Sequence, residues 1–263
     1  MSRSINIKID EALYYSNRGL CYYNLEVYDT ALLNFKTVLD LDSVYYIGYW
    51  NLAMANYNLE QYERAIIAFN KSEDIGYVSG ELYNYRGICY YNLENYDSAL
   101  ADFLKATKSK NPLLNFFGNL GDTYTELGDS KRAIGAFKKA IQIDSTYATG
   151  HNSIGLEYYM EESYDAAITQ FSKAIAINAT EAVYFDNRRK AKDAKIDYLG
   201  AIKDYSQSIS LYPEDSYIYY LRGNAKSNLN NKFDACKDFK KAAEIGLEKA
   251  QKSLEEYCIT SNE

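Results

Sequence analysis

The sequence has few of the residues that would point to catalysis, metal binding or a disulfide scaffold. Its 263 residues include one histidine and four cysteines, too few for a metal cluster at ligand spacing or a network of disulfides. It contains no glycine-rich phosphate loop, nucleophile elbow or catalytic dyad. We therefore expect a protein that is not an enzyme and that uses no cofactor and no metal.

Long apolar runs and an excess of positive charge are also missing. No stretch approaches the roughly 18 apolar residues of a transmembrane helix, and the first residues lack the apolar core of a signal peptide. Lys and Arg number 29 against 36 Asp and Glu, so the formal net charge is −7. A protein that binds nucleic acid through its phosphates needs a basic field. We expect a cytoplasmic protein in a reducing compartment, without membrane insertion and without a nucleic-acid partner.

Proline is rare and tyrosine is abundant. The chain has only 2 prolines, which suits a mostly helical protein because proline breaks helix interiors. Hydrophobic residues make up 47 %, so disorder is not expected. The 29 tyrosines indicate a repeated structural or contact role for this side chain.

One segment of the sequence occurs twice with few changes. Residues 18–35 read RGLCYYNLEVYDTALLNF and residues 86–103 read RGICYYNLENYDSALADF, so 13 of 18 letters are identical. Steps of 34 residues from Phe35 always meet an aromatic residue. The same steps meet seven alanines: Ala31, Ala65, Ala99, Ala133, Ala167, Ala201 and Ala235. A repeat of 34 residues without insertions therefore runs through the chain.

Each repeat has the pattern of a helical hairpin. Apolar residues recur at spacings of three and four, and the pattern breaks near positions 14–17 of the repeat, between a helix A and a helix B. The predicted units are 12–45, 46–79, 80–113, 114–147, 148–181, 182–215 and 216–249. Residues 1–11 form a short lead-in, and 250–263 form a capping helix and tail that covers the last apolar face.

The recurring letters resemble the tetratricopeptide repeat (TPR) family. They are an aromatic residue at position 4, Gly or Ala at 8, Tyr at 11, Ala at 20, Phe at 24 and a small residue at 27. The resemblance extends over residues 12–249. It implies an all-α fold, a right-handed superhelical α-solenoid of stacked antiparallel helix hairpins, with helix A on the concave side.

Helical geometry separates a packing face from a groove face on helix A. Positions 4, 7, 8, 11 and 14 cluster on one side, and positions 2, 5, 6, 9, 12 and 13 lie roughly opposite. The candidate peptide-binding residues are Asn17, Leu20, Tyr23, Trp50, Asn51, Met54, Tyr57, Ile88, Tyr91, Asn119, Tyr159 and Asn187. Asparagine can both donate to and accept from a peptide backbone, and tyrosine and tryptophan add rigid contact area.

Structural roles compete with binding at several of these positions. The asparagines at position 6 resemble the asparagine ladder in the TPR region of O-linked N-acetylglucosamine transferases, which holds peptide backbone, although Tyr85, Ser153 and Leu221 interrupt it. Asparagines at position 13 could instead cap helix A. Tyrosines at position 12 could pack against the neighbouring repeat.

The sixth unit departs from the pattern of the other repeats. Arg189 occupies the small position 8, so we expect a local irregularity there, through loose packing or a side chain that extends to the surface. A solvated surface is expected for the basic run Arg188, Arg189, Lys190, Lys192 and Lys195, with contact to an acidic partner as the alternative.

The sequence also predicts the environments of the four cysteines and the single histidine. Cys21 and Cys89 occupy position 10 and are expected in the core. Cys236 and Cys258, which have no motif around them, are expected to be more exposed. His151 fills the aromatic slot at position 4, which indicates packing.

The pattern favours a non-catalytic protein–protein interaction module. An extended peptide or helix of a partner protein would lie in the concave groove, chiefly along units one to four. The alternative is a structural scaffold that self-associates through exposed aromatic surface, and the chain would then be a weak homo-oligomer and not a monomer. RNA binding is disfavoured by the acidic balance.

Overall fold

The computed structural model describes residues 2–259, with side chains for 11–258, and this part of the chain contains helices and no strand. The helices are α1 Ser2–Asn24, α2 Tyr28–Leu41, α3 Tyr46–Asn58, α4 Tyr62–Asp74, α5 Gly80–Asn92, α6 Tyr96–Thr107, α7 Leu114–Glu126, α8 Ser130–Ile143, α9 Ala148–Met160, α10 Tyr164–Ile177, α11 Ala182–Ala194, α12 Tyr198–Leu211, α13 Ser216–Asn228, α14 Lys232–Glu244 and α15 Glu248–Ser253. A π-helical segment, Leu254–Ile259, follows α15.

The helices come in regular pairs, which confirms the all-α class and the tandem hairpins. From α3 onward each odd-numbered helix up to α13 begins 34 residues after the one before, and the even-numbered helices α2 to α14 keep the same interval. We number the pairs hairpin 1 (α1–α2) to hairpin 7 (α13–α14). The described residues up to Ala136 form one compact unit, and those from Phe137 form a second. Residues 2–11 continue α1 without a break.

A left-handed residue ends the first helix of each hairpin. Position 15 has positive φ in all seven hairpins, at Glu26, Glu60, Glu94, Gly128, Glu162, Ile196 and Asn230. In hairpin 3 the Glu94 amide donates to the Tyr91 carbonyl at 2.9 Å, and the next amide, of Asn95, donates to the Tyr90 carbonyl at 2.9 Å. These bonds satisfy carbonyls that the ending helix leaves open, and they reverse the chain within three residues.

In hairpins 1, 3, 5 and 7 an aromatic ring packs directly on the glycine at position 8. A Cβ added to Gly87 would lie 2.8 Å from Cε1 of Phe103, and one added to Gly19 would lie 2.5 Å from Cε1 of Phe35. Phe35, Phe69 and Phe103 are fully or almost fully buried. Residues 16 positions apart therefore set the distance between the two helices.

In hairpins 3, 6 and 7 an arginine at position 7 joins the hairpin to the one before it. Arg86 donates from Nε and Nη2 to the two carboxylate oxygens of buried Asp102 at 2.7 and 2.8 Å, and from Nη1 to Asn70 of hairpin 2 at 2.7 Å. Burial alone would raise the pKa of Glu73, but hydrogen bonds from Arg86 and Tyr83 outweigh it and hold that pKa below its ordinary value. Bidentate charge-assisted bonds of this kind are among the strongest in proteins.

The same arrangement recurs in the second compact unit. Arg188 binds Asp204 at 2.6 Å and Ser172 of hairpin 5 at 3.0 Å. Arg222 binds Asp238 at 2.7 Å and Ser206 of hairpin 6 at 3.0 Å. We call the trio of position 7, position 23 and the preceding position 25 the arginine staple.

The irregularity expected at Arg189 is wrong. Helix α11 runs unbroken, and Arg189 is 8 % exposed, so it neither loosens the helix nor reaches the surface. Its guanidinium bonds to Asp186 and donates to the hydroxyl of Tyr205 at 3.3 Å. Tyr205 replaces the usual phenylalanine at position 24 and donates to Asp193 at 2.7 Å. Hairpin 6 therefore exchanges a glycine–phenylalanine contact for a paired arginine and tyrosine.

The solvated surface expected for the basic run of hairpin 6 is found at Lys190 and Lys195, which are exposed, but not at Arg188, Arg189 and Lys192. Arg188 and Lys192 both bind Asp204, at 2.6 and 2.8 Å. Lys190 binds Asp186 at 2.7 Å. Lys195 pairs with Asp165 of hairpin 5. All five cations, Arg189 included, are paired within the protein.

Two expectations for the cysteines are also wrong. Cys21 is exposed, whereas Cys89 at the same repeat position is fully buried. In the described residues no hairpin precedes hairpin 1, so nothing covers position 10 there. Cys236 and Cys258 are half-buried and form a disulfide between α14 and the π-helical segment. This bond fastens the final helical segment to the last hairpin.

Crowding of the hairpin interior should make Gly87 intolerant of larger side chains. We expect Gly87→Val to lower the free energy of unfolding by about 1–3 kcal/mol, because its side chain would overlap the Phe103 ring. Gly135 lies in α8 with no atom near its added Cβ, and Gly135→Ala should instead stabilise by about 0.5–1 kcal/mol. Urea denaturation followed by circular dichroism measures both. Equal effects of the two substitutions would contradict the role of the contact.

Reduction of the disulfide should destabilise the second compact unit. The bond closes a loop with a sequence separation of 22, and its loss should cost about 3 kcal/mol from chain entropy. Dithiothreitol should lower the melting temperature of the natural chain to that of Cys258→Ser and should leave Cys258→Ser unchanged. A reductant effect of equal size in both proteins would show that the disulfide has no such role.

Candidate functional site

A cavity of about 200 Å³ lies between the first helices of hairpins 1 and 2. It is lined by five of the twelve candidate residues, together with Asn24 and Phe35. The five are Leu20 and Tyr23 from α1 and Trp50, Asn51 and Met54 from α3. We call the surface formed by α1, α3, α5 and α7 the A-face groove and this pocket its first cavity.

The amide nitrogen of Asn51 has no hydrogen-bond partner among the residues that the structure describes. The side chain is 8 % exposed, and its Nδ2 is buried without a hydrogen-bond partner. At the equivalent position of hairpin 4, the Nδ2 of Asn119 donates to Oδ1 of Asn84 at 2.8 Å. Hairpin 1 has the shorter Ser16 where hairpin 3 has Asn84, so the acceptor is missing. A buried donor left unpaired costs about 1–3 kcal/mol, which a ligand carbonyl could recover.

A second cavity repeats the first one two hairpins further along. Its volume is about 130 Å³ and its lining includes Ile88, Tyr91, Phe103, Asn119 and Asp122. These residues occupy the repeat positions that Leu20, Tyr23, Phe35, Asn51 and Met54 occupy in the first cavity. The acidic Asp122 in place of Met54 makes the second cavity more polar.

Aromatic rings fill the corresponding place between the two cavities. Tyr85 stands at position 6 of hairpin 3, where the cavities have asparagine. Its ring centroid lies 6.0 Å from that of Trp50 and 5.4 Å from that of Tyr57, both in edge-on contact. Trp50 also contacts Tyr77 edge-on at 5.5 Å. The groove in this unit is therefore two cavities separated by an aromatic wall.

The tyrosines at position 12 pack and bond within the protein as well as facing the groove. Tyr23 accepts a hydrogen bond from Asn58 at 2.7 Å, and Tyr91 donates to Glu126 at 3.4 Å. Burial, with the nearby charges of Glu126 and Asp122, raises the pKa of Tyr91 to about 12. These phenols remain protonated donors at neutral pH.

The candidate asparagines differ in whether their side chains hydrogen-bond within the protein. Asn119 and Asn187 both donate to the preceding hairpin, Asn187 to Asn152 at 3.0 Å. Asn17 is exposed. At position 13, Asn58 and Asn92 donate to carbonyls one turn earlier in their own helices, at 2.8 Å each. These bonds near the end of helix A agree with the capping role that was the alternative to peptide binding at position 13.

Two candidate residues, Tyr159 and Asn187, belong to the second compact unit and line neither of the two cavities. Tyr159 is half-buried and contacts Tyr164 at a centroid distance of 5.6 Å. Asn187 is buried, and its side-chain amide donates a hydrogen bond to Asn152. The residues that decide the hydrogen bonds and packing beside the cavities are Ser16, Asn84 and Tyr85, none of which was among the twelve candidates. Comparison of position 6 with position 5 of the preceding repeat would have found them.

Among the described residues, no group of three or more His, Cys, Asp or Glu side chains is placed to hold a metal ion. His151 shares a hydrogen bond of 2.9 Å with Gln170, in line with its packing slot. None of the helices in residues 2–259 combines the length and apolar character that crossing a membrane requires.

Comparison with known families agrees with the repeat. Tetratricopeptide repeat models match residues 16–78 and 80–110, and a TPR repeat model matches 121–161. No curated protein matches the chain significantly.

Solved structures with the same architecture include three TPR proteins. The C-terminal part of a TPR repeat-containing protein from Cytophaga hutchinsonii is 25 % identical, with a TM-score of 0.69 over 73 % of this chain and 77 % of that one. A tetratricopeptide repeat protein from Parabacteroides merdae is 17 % identical, with a TM-score of 0.68 over 94 % and 98 %. YrrB, described as a TPR protein with an unusual peptide-binding site, is 20 % identical, with a TM-score of 0.60 over 72 % and 97 %. Taken with the hairpin repeat, these matches show that the chain belongs to the tetratricopeptide repeat family.

Proposed function

We propose that the first compact unit binds an extended segment of a partner protein along the A-face groove and performs no catalysis. Tetratricopeptide repeats generally serve as protein–protein interaction modules. The observation that carries the proposal is the unpaired amide nitrogen of Asn51 at the first cavity, beside apolar Leu20, Met54 and the Trp50 ring. An amide donor among apolar contacts suits a peptide carbonyl next to a bulky side chain.

The two cavities give the ligand a length scale. Neighbouring packed helices lie about 8–10 Å apart, so cavities two hairpins apart are separated by roughly 20 Å. An extended peptide advances about 3.3 Å per residue, so about six residues would span this distance. Side chains six residues apart in an extended chain point to the same side. The ligand would therefore place two anchor side chains about six residues apart, the second of them polar or basic because of Asp122.

The disulfide is informative about the cellular compartment of the protein. Disulfides are rare in cytosolic proteins, where thiols are kept reduced. The Cys236–Cys258 bond therefore supports an oxidising compartment and not the cytoplasm expected from the sequence.

Trp50 offers a direct test because it is the single tryptophan of the chain and lines the first cavity. A random dodecapeptide library displayed on phage is the probe. Selected peptides should share two bulky residues about six positions apart and should change the Trp50 emission on binding. Asn51→Ala should weaken binding about tenfold, as expected for a lost buried hydrogen bond. Asn111→Ala, an exposed asparagine of the same compact unit, is the control. Selected peptides that bind without any change in Trp50 emission would place the site elsewhere.

A second test adds a hydrogen-bond acceptor at Ser16 and removes no contact of Asn51. Ser16→Asn should supply the acceptor that Asn84 supplies to Asn119, so it should stabilise the protein by about 1 kcal/mol and weaken peptide binding. Ser16→Ala removes the hydroxyl without adding an acceptor and should leave affinity unchanged. Isothermal titration with a selected peptide measures the affinity, and thermal melting measures the stability. Equal affinity of the natural chain and Ser16→Asn would contradict the role of Asn51.

A further inference from the structure

Hairpin 2 lacks the arginine staple that joins hairpins 3, 6 and 7 to their predecessors. Its position 7 is Leu52 and its position 23 is Ala68, where hairpin 3 has Arg86 and Asp102. The preceding position 25 is Lys36, where Asn70 accepts from Arg86 in the next hairpin. Leucine and alanine fill less space than the ion pair, and a cavity of about 310 Å³ lies at this place.

The cavity opens on the side of α3 away from the A-face groove. Tyr49, Leu52 and Asn56 line it from α3 with spacings of three and four, a single helical stripe. The groove residues Trp50, Asn51 and Met54 lie on the other stripe. We call this pocket the B-face cavity, because α2 and α4 form its walls.

Its floor is apolar and large enough for one bulky side chain. Leu32, Leu52 and Ala68 contribute to the floor, and Ile67 beside them is 62 % exposed. An apolar protein cavity of roughly 150 Å³ holds benzene. The B-face cavity therefore has room for an aromatic or branched aliphatic side chain.

Its rim is cationic on both walls. Lys36 comes from α2, and Arg64 and Lys71, two helical turns apart, come from α4. No acidic residue is among the lining residues that the structure gives for this cavity, although the whole chain has a net charge of −7. Arg64 bonds to the neutral Gln61, and Lys71 lies 3.9 Å from Asp74 in an exposed pair. Exposed pairs of that kind contribute little, so they yield readily to another carboxylate.

We propose that the B-face cavity binds an acidic segment of a partner protein, with a bulky apolar side chain in the cavity and carboxylates on both sides of it. The apolar side chain would cover Leu52 and Ala68. The flanking carboxylates would pair with Lys36 on one wall and with Arg64 and Lys71 on the other. This site is separate from the A-face groove and does not depend on the function proposed for it.

The test uses the full chain labelled with ¹⁵N and the probe peptide acetyl-Asp-Glu-Phe-Glu-Asp-amide. The peptide should shift amide resonances of α2, of α4 and of the Leu52 stripe of α3, and its affinity should fall several-fold at high salt because exposed charges are screened. The neutral peptide acetyl-Asn-Gln-Phe-Gln-Asn-amide should bind at least tenfold more weakly.

Two protein variants keep the test independent of folding. Leu52→Arg with Ala68→Asp and Lys36→Ser installs the staple of hairpins 6 and 7, so it should close the cavity in a folded protein and abolish binding. Arg64→Glu with Lys71→Glu should lower the affinity at least tenfold. Lys108→Glu with Lys110→Glu makes the same change in charge on other lysines of the first compact unit and should have no effect.

Several results would overturn the proposal. They are equal binding of the neutral peptide, retained binding by the stapled variant, and a quench of Trp50 emission with shifts confined to the A-face groove. Binding of decanoate at the same residues without binding of the acidic peptide would also overturn it, because the occupant would then be a fatty acid.

Discussion

The contact between the glycine at position 8 and the aromatic ring at position 24 sets the distance between the two helices in hairpins 1, 3, 5 and 7. Phe103 lies so close to Gly87 that no larger residue fits without displacement. Because this contact holds the two helices at a fixed distance, the remaining positions of helix A acquire fixed neighbours. In hairpins 4 and 6 position 6 bonds to position 5 of the preceding hairpin, and in hairpins 3, 6 and 7 position 7 bonds to its arginine-staple partners. The cavities arise where those neighbours fail to fill the space.

The periodic part of this architecture could be predicted from the sequence. An uninterrupted 34-residue register gave the helix pairs, the turns and the division of helix A into two faces. The face prediction brought Leu20, Tyr23, Trp50, Asn51 and Met54 together, and these residues do line one cavity. Helical geometry gave the face of each helix, and the regular stacking of the repeats places that face of α1 beside that of α3.

The remaining details depend on pairs of side chains from different helices. A single repeat position does not show that Ser16 is too short for Asn51, or that Tyr205 accommodates Arg189. The basic run of hairpin 6 was predicted to be a solvated surface because two of its carboxylate partners come from other helices, Asp204 in α12 and Asp165 in α10. Cys236 and Cys258 meet only because the last helical segment folds back onto α14.

The missing staple between hairpins 1 and 2 has a consequence for cooperativity. In a repeat array, stability is roughly the sum of hairpin terms and nearest-neighbour interface terms. Arg86 links hairpin 3 to hairpin 2 by charged bonds, whereas Leu52 makes no such link to hairpin 1. Hairpin 1 is therefore expected to open at a lower free energy than the pair of hairpins 2 and 3, and its amides to exchange hydrogen sooner than theirs. The first A-face cavity and the B-face cavity both lie at the interface of hairpins 1 and 2. A ligand bound in either cavity would therefore stabilise that interface and extend the cooperative unit by one repeat.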